Sequence, residues 1–425
     1  MKRWVHPFNS TDAARITWNG MNTKSPIKPE FLLLMAALQC LMALYVDAML
    51  PALHEIGSDL NALDNNRYQF VITSVMLGLA VGQFFYGPLA DAWGRKPAVY
   101  LGFTLMLIGT LISLFAETFE VMLVGRVLQG LGAAGPRVVT MAIVRDKYVG
   151  PDMARVMSLI MTIFIFSPVV VPMLGQLVLL VADWRAVFGM LLVLTTATWI
   201  WFALRQEETL NPEHKATLSF KPVMKAMRQV VTTREGFIYT FAGGLVHGSL
   251  IGFLVSVQGI LQGIYDTGAL FPVYFAMMAL GVGISSFMNS KLVYRFELRK
   301  LVIFVMALSG TISLLEAIVI GAWQLTVPLQ LFILMMIVTT FFFGLLFGNL
   351  NALAMAPFGK IAGVASGTIG AFTMLLGVLV GSLIGIQFDG TLLPLLIGFA
   401  VTTLLALMLI ILFSKPRVQR VEVAH

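Results

Sequence analysis

Four charged side chains interrupt the long apolar segments of this sequence: Asp47, Arg126, Arg137 and Glu316. A charge within a membrane costs on the order of 2.5–3.5 kcal/mol on insertion scales, so each one needs a partner or a water-filled cavity. Burial raises the pKa of a carboxyl group and a nearby guanidinium lowers it, so a carboxylate whose surroundings change can bind and release a proton. These residue types therefore indicate proton exchange inside a membrane.

Asp47 and Arg126 are candidates for one coupled pair. Asp47 lies about six residues before the end of its apolar segment, and Arg126 lies about five residues after the start of another. If these segments are helices that run in opposite directions, a rise of about 1.5 Å per residue brings both side chains to a similar depth. We predict that the two side chains pair and that the pair couples to protons. In the alternative interpretation, Asp47 only extends into the headgroup region.

Other polar residues of the apolar segments are candidates for the lining of a cavity. Arg137 follows Arg126 by eleven residues, about three helical turns, so both project from one face of a helix. Pairing of Arg137 with backbone carbonyls is the alternative. His247 is a candidate for protonation because imidazole titrates near neutral pH, although a lone intramembrane His is more often a helix contact. Further cavity candidates are Gln39, Gln258, Asn349 and Asn351.

No metal, cofactor or nucleic-acid site is predicted. The histidines lack the paired spacing of metal ligands: His6, His54, His214, His247 and His425. No GxxxxGK[ST] string provides a nucleotide site, and the dispersed charges do not form a catalytic cluster. The net charge of +7 collects in the connections between apolar segments, so it does not indicate nucleic-acid binding. We therefore expect neither a cofactor nor an enzyme.

The elements that position these side chains are apolar helices. Hydrophobic residues make up 58% of the chain and charged residues 12%, against roughly 25% charged in soluble domains. Continuous apolar runs of about 20 residues indicate spanning helices, because a membrane admits only structures that satisfy their backbone hydrogen bonds internally. The twelve predicted spans are Phe31–Leu53, Tyr68–Leu89, Ala98–Ala116, Val121–Val144, Val156–Leu180, Ala186–Leu204, Phe237–Val257, Phe271–Ser290, Leu301–Gly321, Pro328–Ala356, Ile361–Ile386 and Thr391–Phe413.

The distribution of Lys and Arg predicts how these spans are oriented. Cationic residues concentrate in the cytoplasmic connections of membrane proteins. Of the 28 Lys and Arg residues, Arg126 and Arg137 lie within the fourth span, and only Arg67 and Arg185 lie on the less basic side. All the others fall on alternate connections that include both ends of the chain. The pattern predicts twelve spans with both termini in the cytoplasm.

The spans divide into two predicted bundles around a polar, basic linker. The predicted organisation is a tail at 1–30, a six-helix bundle at 31–204, a linker at 205–235, a second six-helix bundle at 236–413 and a tail at 414–425. Asp91–Lys96 and Arg295–Lys300 follow the second and eighth spans at equivalent positions, as expected of a duplicated six-helix unit. The first tail lacks the apolar region of a signal peptide, and Met21 is an alternative translation start.

The loop after the second span carries the motif Gly87-Pro-Leu-Ala-Asp91-Ala-Trp-Gly94-Arg95-Lys96. It resembles the signature loop of the major facilitator superfamily, which implies two six-helix bundles with alternating access. In that family the aspartate, here Asp91, docks at the positively polarised N-terminus of span eleven and latches the cytoplasmic side shut. That N-terminus lies near Gly359–Gly363. The two glycines permit tight turns, and the two cations anchor the cytoplasmic surface.

Two further motifs narrow the resemblance. Arg126-Val-Leu-Gln-Gly130 is similar to the RxxQG motif of drug:proton antiporters, which implies that Arg126 takes part in proton coupling. Pro168-Val-Val-Val-Pro172-Met-Leu-Gly175 in the fifth span is similar to their antiporter motif. Its paired prolines resemble the bicyclomycin-resistance (Bcr/CflA-type) subfamily, although Val171 and Gln176 depart from that form.

The resemblance implies a proton-coupled exporter of small amphipathic drugs or metabolites that acts as a monomer in the bacterial inner membrane. The first alternative is a proton symporter, or an exporter for one defined metabolite, with the same fold. The second is a non-transporting membrane sensor, which the small share of sequence outside the spans disfavours. Span nine is peripheral in this superfamily, so Glu316 is expected at a helix interface.

Overall fold

The computed structural model of the protein contains twelve helical segments that are long and apolar enough to cross a membrane, which confirms the predicted number of spans. It describes residues 28–324 and 327–414. Most of both predicted tails, including the alternative start at Met21, lies outside these described residues.

The helices are numbered in chain order. The first bundle contains α1 (Pro29–Asp47), α2 (Leu53–Asp59), α3 (Phe70–Trp93), α4 (Arg95–Leu114), α5 (Phe119–Lys147), α6 (Gly150–Ile165), α7 (Ser167–Leu179) and α8 (Trp184–Arg205). The second contains α10 (Arg234–Gln258), α11 (Phe271–Arg295), α12 (Leu298–Trp323), α13 (Leu329–Met355), α14 (Ala362–Ile386) and α15 (Leu393–Phe413). Between them, α9 (Lys221–Thr232) lies in the linker. The membrane face that carries the linker is called the linker side, and the opposite face is called the far side.

The predicted fifth span consists of two helices. α6 ends at Ile165 and α7 begins at Ser167. Pro168 has no N–H to donate, so it cannot continue the helical hydrogen-bond ladder to the carbonyl of Phe164. The hydroxyl of Ser167 donates to that carbonyl instead, at 2.7 Å. The Ser-Pro pair therefore ends one helix and starts the next.

Glycines allow the helices of the first bundle to pack closely. A Cβ atom on Gly130 of α5 would collide with the carbonyl oxygen of Val75 in α3. A Cβ atom on Gly102 of α4 would lie 2.8 Å from the carbonyl oxygen of Gly132 in α5. Helices in a membrane associate through such close backbone contact, because lipid tails remove most of the hydrophobic driving force between them. α5 is thereby held tightly between α3 and α4.

Contacts between the two bundles close the far side. α3 packs along α14, and α7, the far-side half of the fifth span, packs on α11. Before α3, the side-chain amide of Asn66 donates to the carbonyl of Phe388 at 2.6 Å and to that of Ile386 at 3.4 Å. The side-chain oxygen of Gln69 lies directly against Gly385. These contacts tie the far-side end of α14 to the first bundle.

The linker side is more open. The first turns of α14 are largely exposed, including Gly363, Val364, Ser366 and Gly367. α9 contacts α14 and α10, while Phe220, just before α9, packs edge-on against Phe85 of α3 with 5.7 Å between ring centroids. From these contacts and this exposure we infer that the structure represents a state closed at the far side and open toward the linker side.

Candidate functional site

Arg126 is fully buried at the centre of the first bundle. Its Nε donates to the carbonyl of Val71 at 2.9 Å, its Nη1 to the side-chain oxygen of Gln129 at 2.7 Å, and its Nη2 to the carbonyl of Tyr45 at 2.7 Å. The guanidinium also lies over the ring of Phe188, 5.9 Å from its centroid. Polar acceptors on three sides and an aromatic face on a fourth satisfy this buried charge.

A chain of buried hydroxyl groups extends this network. Gln129 donates to the hydroxyl of Thr110 at 3.3 Å. The Tyr45 hydroxyl lies 3.0 Å from the Thr110 hydroxyl and 2.8 Å from that of Thr195. The network thereby connects α1, α3, α4, α5 and α8. Sequence reasoning identified Arg126 and the Gln129 motif but missed Tyr45, which carries no distinguishing sequence signal.

The predicted ion pair between Asp47 and Arg126 is absent in this state. Asp47 is the last residue of α1 and is only 7% exposed, but among residues 28–324 and 327–414 none forms an ion pair or hydrogen bond with its carboxylate. Carbonyls in the last turn of a helix lack intrahelical partners, so the Tyr45 carbonyl is available to accept from Arg126. Arg126 therefore binds the backbone of α1 two residues before Asp47 instead of the Asp47 carboxylate.

The paired-proline segment lies against the same end of α1. A Cβ atom on Gly175 of α7 would collide with the carbonyl oxygen of Ala48, the residue after Asp47. Pro168 stands in the first turn of α7, and Pro172 is buried inside that helix. Asp47 therefore sits where α1, α5 and α7 meet, and the glycine permits that contact.

Arg137 projects into a different environment. It is half-buried on α5, and its Nη1 contacts the thioether sulfur of Met42 in α1 at 2.8 Å. Across the bundle boundary, His247 of α10 packs with its ring centroid 5.2 Å from that of Phe347. The Nδ1 atom of His247 is buried and has no hydrogen-bond partner among the described residues.

The remaining cavity candidates lie in three different environments. The side-chain oxygens of Gln39 and Gln258 are buried without a partner in the described part of the chain. Asn349, by contrast, exchanges two hydrogen bonds with Asn289, at 2.8 and 3.1 Å, and so joins α13 to α11. Asn351 is exposed on α13. The structure thus places Asn349 in a helix–helix contact instead of a free cavity position.

Glu316 lies on α12, away from these groups. Its side chain is partly buried, and one carboxylate oxygen has no partner among the residues described. Its predicted interfacial role therefore stays a prediction. The described residues also contain no group of three or more His, Cys, Asp and Glu side chains that could hold a metal ion.

Ion pairs and hydrogen bonds to carboxylates hold the signature loop in place on the linker side. Arg95 donates from Nη1 to Asp91 at 2.5 Å, and from Nε to Asp146 at 2.8 Å. The carboxylate of Glu208, in the linker, accepts from the backbone N–H groups of Arg95 and Lys96, both at 2.9 Å. It caps the first turn of α4, where backbone donors lack partners. Thr209 adds a bond from its hydroxyl to Asp146 at 3.0 Å.

The predicted docking of Asp91 at the start of α14 is not observed in this state. The exposed first turns of α14 and the Asp91–Arg95 ion pair are what a linker side open to solvent requires. Gly94 has φ of +116°, and a Cβ there would lie 2.6 Å from a Glu208 oxygen, so both the turn and the cap need glycine. The predicted tight turn at Gly87 is wrong, because this residue lies inside the helix α3 and no atom lies within 4 Å of a Cβ built there. Lys96 donates to the carbonyl of Ala203 at 3.2 Å.

Asp146 and Glu208 were not selected as site residues from the sequence. Asp146 follows Arg145 at the end of the fourth span, and Glu208 stands three residues after the end of α8. Both look like ordinary charges of a linker-side surface, because sequence spacing does not reveal which cation they meet. Only the fold brings them to Arg95.

Comparisons with known proteins agree with this architecture. A family model described as Major Facilitator Superfamily matches residues 33–382. The solved D-xylose-proton symporter superposes with a TM-score of 0.72 at 13% identity, covering 91% of this chain and 98% of that one. The human organic anion transporter MFSD10 superposes with a TM-score of 0.61 at 16% identity, covering 90% of this chain and 99% of that one. At such identities the likeness concerns the fold alone, and it confirms the predicted arrangement of two six-helix bundles.

Relatives in sequence cover most of the chain. The bicyclomycin resistance protein homolog of Haemophilus influenzae is 28% identical over 381 residues, 86% of this chain and 91% of the relative. The multidrug resistance protein MdtL of Escherichia coli O9:H4 is 29% identical over 412 residues, 93% of this chain and 99% of MdtL. An uncharacterized MFS-type transporter, YdgK of Bacillus subtilis, is 29% identical over 360 residues, which cover 83% of this chain and 88% of YdgK. These relatives confirm the resemblance drawn from the span-four and span-five motifs.

Proposed function

The chain belongs to the Major Facilitator Superfamily, and from that premise we propose that it is a proton-coupled secondary active transporter that exports small amphipathic drugs or metabolites by alternating access. It is a multi-pass protein of the bacterial inner membrane. The charge distribution supports assigning the linker side to the cytoplasm. Relatives of nearly full length that are named for drug resistance support export, and the relative from Bacillus subtilis is named as an MFS-type transporter.

The observation that carries the proposal is the position of Asp47. Its carboxylate is buried, has no cationic partner among the described residues, and stands at the junction of α1, α5 and α7. Arg126 fixes the α1 backbone at Tyr45, and α7 touches Ala48 through Gly175. Movement of α7 against this fixed point changes the hydration of the carboxylate. A carboxylate that alternates between dry and hydrated surroundings binds a proton in one state and releases it in the other.

In the proposed cycle, the far side and the linker side open in turn. The far side is held shut by Asn66 on the end of α14, and the linker side is open. In the opposite state we expect Asp91 to leave Arg95 and to approach the N-terminus of α14, whose partial positive charge favours a carboxylate. The Asp91–Arg95–Asp146 cluster, with the Glu208 cap, then stabilises the linker-open state, and the Asn66 contact stabilises far-side closure.

Two alternatives have less support. A symporter or an exporter for one metabolite would share the fold, but the paired prolines of α7 resemble the antiporter motif of drug exporters. A non-transporting sensor would not need a buried carboxylate at a helix junction. We further propose that the protein acts as a monomer, because one chain contains both six-helix bundles of the fold.

Flux in proteoliposomes tests the proposed function. Purified protein is reconstituted with a fluorescent amphipathic dye, and a pH gradient of either sign is imposed. Dye movement coupled to opposite proton movement is expected. Dye and proton movement in the same direction would indicate symport, and the absence of gradient-driven movement for a broad panel of compounds would contradict the proposal.

A further inference from the structure

Helix α9 of the linker has two apolar faces, and the protein covers only one of them. Successive residues of a helix lie about 100° apart around its axis. The helix contacts α14 and α10, and its buried face consists of Val223, Ala226 and Val230. A second apolar face lies about a quarter-turn away and consists of Phe220, Met224, Met227 and Val231. This second face, called the outer stripe, is at least partly exposed, with Met224 64% and Val231 49% exposed.

Cations line one edge of the outer stripe. Lys221, Lys225 and Arg228 are exposed and lie about a further quarter-turn around the helix, nearly opposite the buried face. α9 contains no Asp or Glu. None of the three cations forms a salt bridge with any residue that the structure describes. An apolar stripe beside a cationic edge is typical of helices that lie in the plane of a membrane interface.

The outer stripe begins at the level of a spanning helix. Phe220 packs edge-on against Phe85 of α3, with 5.7 Å between the ring centroids. Phe85 lies eight residues before the end of α3 at Trp93, about 12 Å along the helix axis. It belongs to a segment apolar enough to cross a membrane, and its own side chain is 45% exposed. The start of α9 therefore lies beside a membrane-spanning segment and not beyond its end.

We propose that the outer stripe and its cations bind anionic phospholipids of the linker-side leaflet. Acyl chains cover the apolar side chains, and the ammonium and guanidinium groups pair with headgroup phosphates. A bilayer is favoured over a soluble protein partner because the stripe starts beside a spanning helix. Since α9 also packs on α14, the bound lipids steady the helix whose N-terminus serves the proposed linker-side gate.

A fluorescent probe on the outer stripe tests this interaction in the full-length protein. Cys40→Ser removes the single cysteine, and Met224→Cys then provides one site for a polarity-sensitive bimane label. The labelled protein is placed in nanodiscs of phosphatidylcholine, with or without phosphatidylglycerol. Phosphatidylglycerol should shift the emission to shorter wavelength, because the label enters a less polar environment. High salt should reverse the shift, since salt screens exposed charges.

Loss of the three cations should remove most of this shift. Each cation near an anionic membrane surface changes binding roughly fivefold, so the triple change should weaken it on the order of a hundredfold. The test variant combines Lys221→Gln, Lys225→Gln and Arg228→Gln. Its matched control removes three exposed linker-side cations outside α9 and combines Arg155→Gln, Lys215→Gln and Lys291→Gln. The control should keep the full shift, because the label reports only on α9.

Equal emission in the two kinds of nanodisc would overturn the proposal, because the stripe would then be covered by something other than anionic lipid. A shift of the same size in the test and control variants would also overturn it, since the cations of α9 would not be responsible. The measurement involves no gradient-driven flux, so its outcome is independent of the proposed transport function.

Discussion

The Nη2 atom of Arg126 lies 2.7 Å from the backbone carbonyl of Tyr45, two residues before Asp47. The intramembrane arginine therefore holds the end of α1 in place without neutralising its carboxylate. The sequence predicted that Arg126 and Asp47 act together as an ion pair, whereas the structure gives the two side chains separate contacts. Arg126 positions the helix, and in the proposed mechanism Asp47 is left to exchange a proton.

Asp47→Asn is expected to abolish proton-coupled export. The amide keeps the volume of the carboxyl group but cannot bind and release a proton. Substrate-induced proton release from purified protein, followed with a pH-sensitive dye, should disappear while substrate binding remains. Glu117→Gln, which removes an exposed far-side carboxylate, is the control and should release protons normally. Undiminished release from Asp47→Asn would show that another group carries the proton.

Arg126→Lys is expected to destabilise the protein strongly although it keeps the positive charge. An ammonium group cannot reach Tyr45, Val71 and Gln129 together, so buried carbonyls lose their donors, at a cost of about 2–4 kcal/mol. Thermal unfolding in detergent should show a clearly lower midpoint. Arg67→Lys alters an exposed ion pair with Glu120 and should leave the midpoint nearly unchanged. Equal midpoints for the two variants would argue against a structural role of the buried network.

Gly175→Ala is expected to impair both stability and transport. The added methyl group meets the carbonyl of Ala48 and pushes α7 away from α1, at a cost of about 1–3 kcal/mol for overpacking. Gly189→Ala is the matched control, because a Cβ on that helical glycine of α8 meets no atom within 4 Å. It should be neutral or slightly stabilising, since alanine favours helix. Normal flux and unfolding in Gly175→Ala would mean that close contact between α7 and α1 is dispensable.

Asn66→Ala is expected to shift the protein toward the far-side-open state. Loss of a cross-bundle bond worth about 1 kcal/mol changes the ratio of the two states about fivefold. Cys40 of α1 is the single cysteine, so its labelling by a membrane-impermeant maleimide from the far side reports the opening.

Asn65→Ala controls for backbone strain in that experiment. Asn65 has φ of +54°, almost the same as the +56° of Asn66, but its side chain is exposed. Both alanine variants share the cost of a left-handed conformation, and only Asn66→Ala loses the bond to Phe388. Faster labelling in both, or in neither, would exclude the Asn66 contact as a far-side latch.

The sequence alone determined the twelve spans and the type of architecture. Long apolar runs are sufficient for this because a membrane accepts few backbone structures, so composition predicts helices directly. The same reasoning selected Asp47, Arg126 and Arg137, because charged residues are rare and costly in such runs. The loop and proline motifs added the family, through short-range patterns that need no tertiary information.

Only the tertiary structure decided the partners of these residues. Depth along two helices predicted that Arg126 and Asp47 would meet, but the rotation of each helix and the end of α1 direct the guanidinium to the Tyr45 carbonyl. The sequence likewise treated Arg126 and Arg137 as one stripe, whereas packing satisfies the first and leaves the second almost without acceptors. Side-chain partners depend on helix rotation and on contacts between distant segments, such as Glu208 with the start of α4, and sequence spacing carries neither.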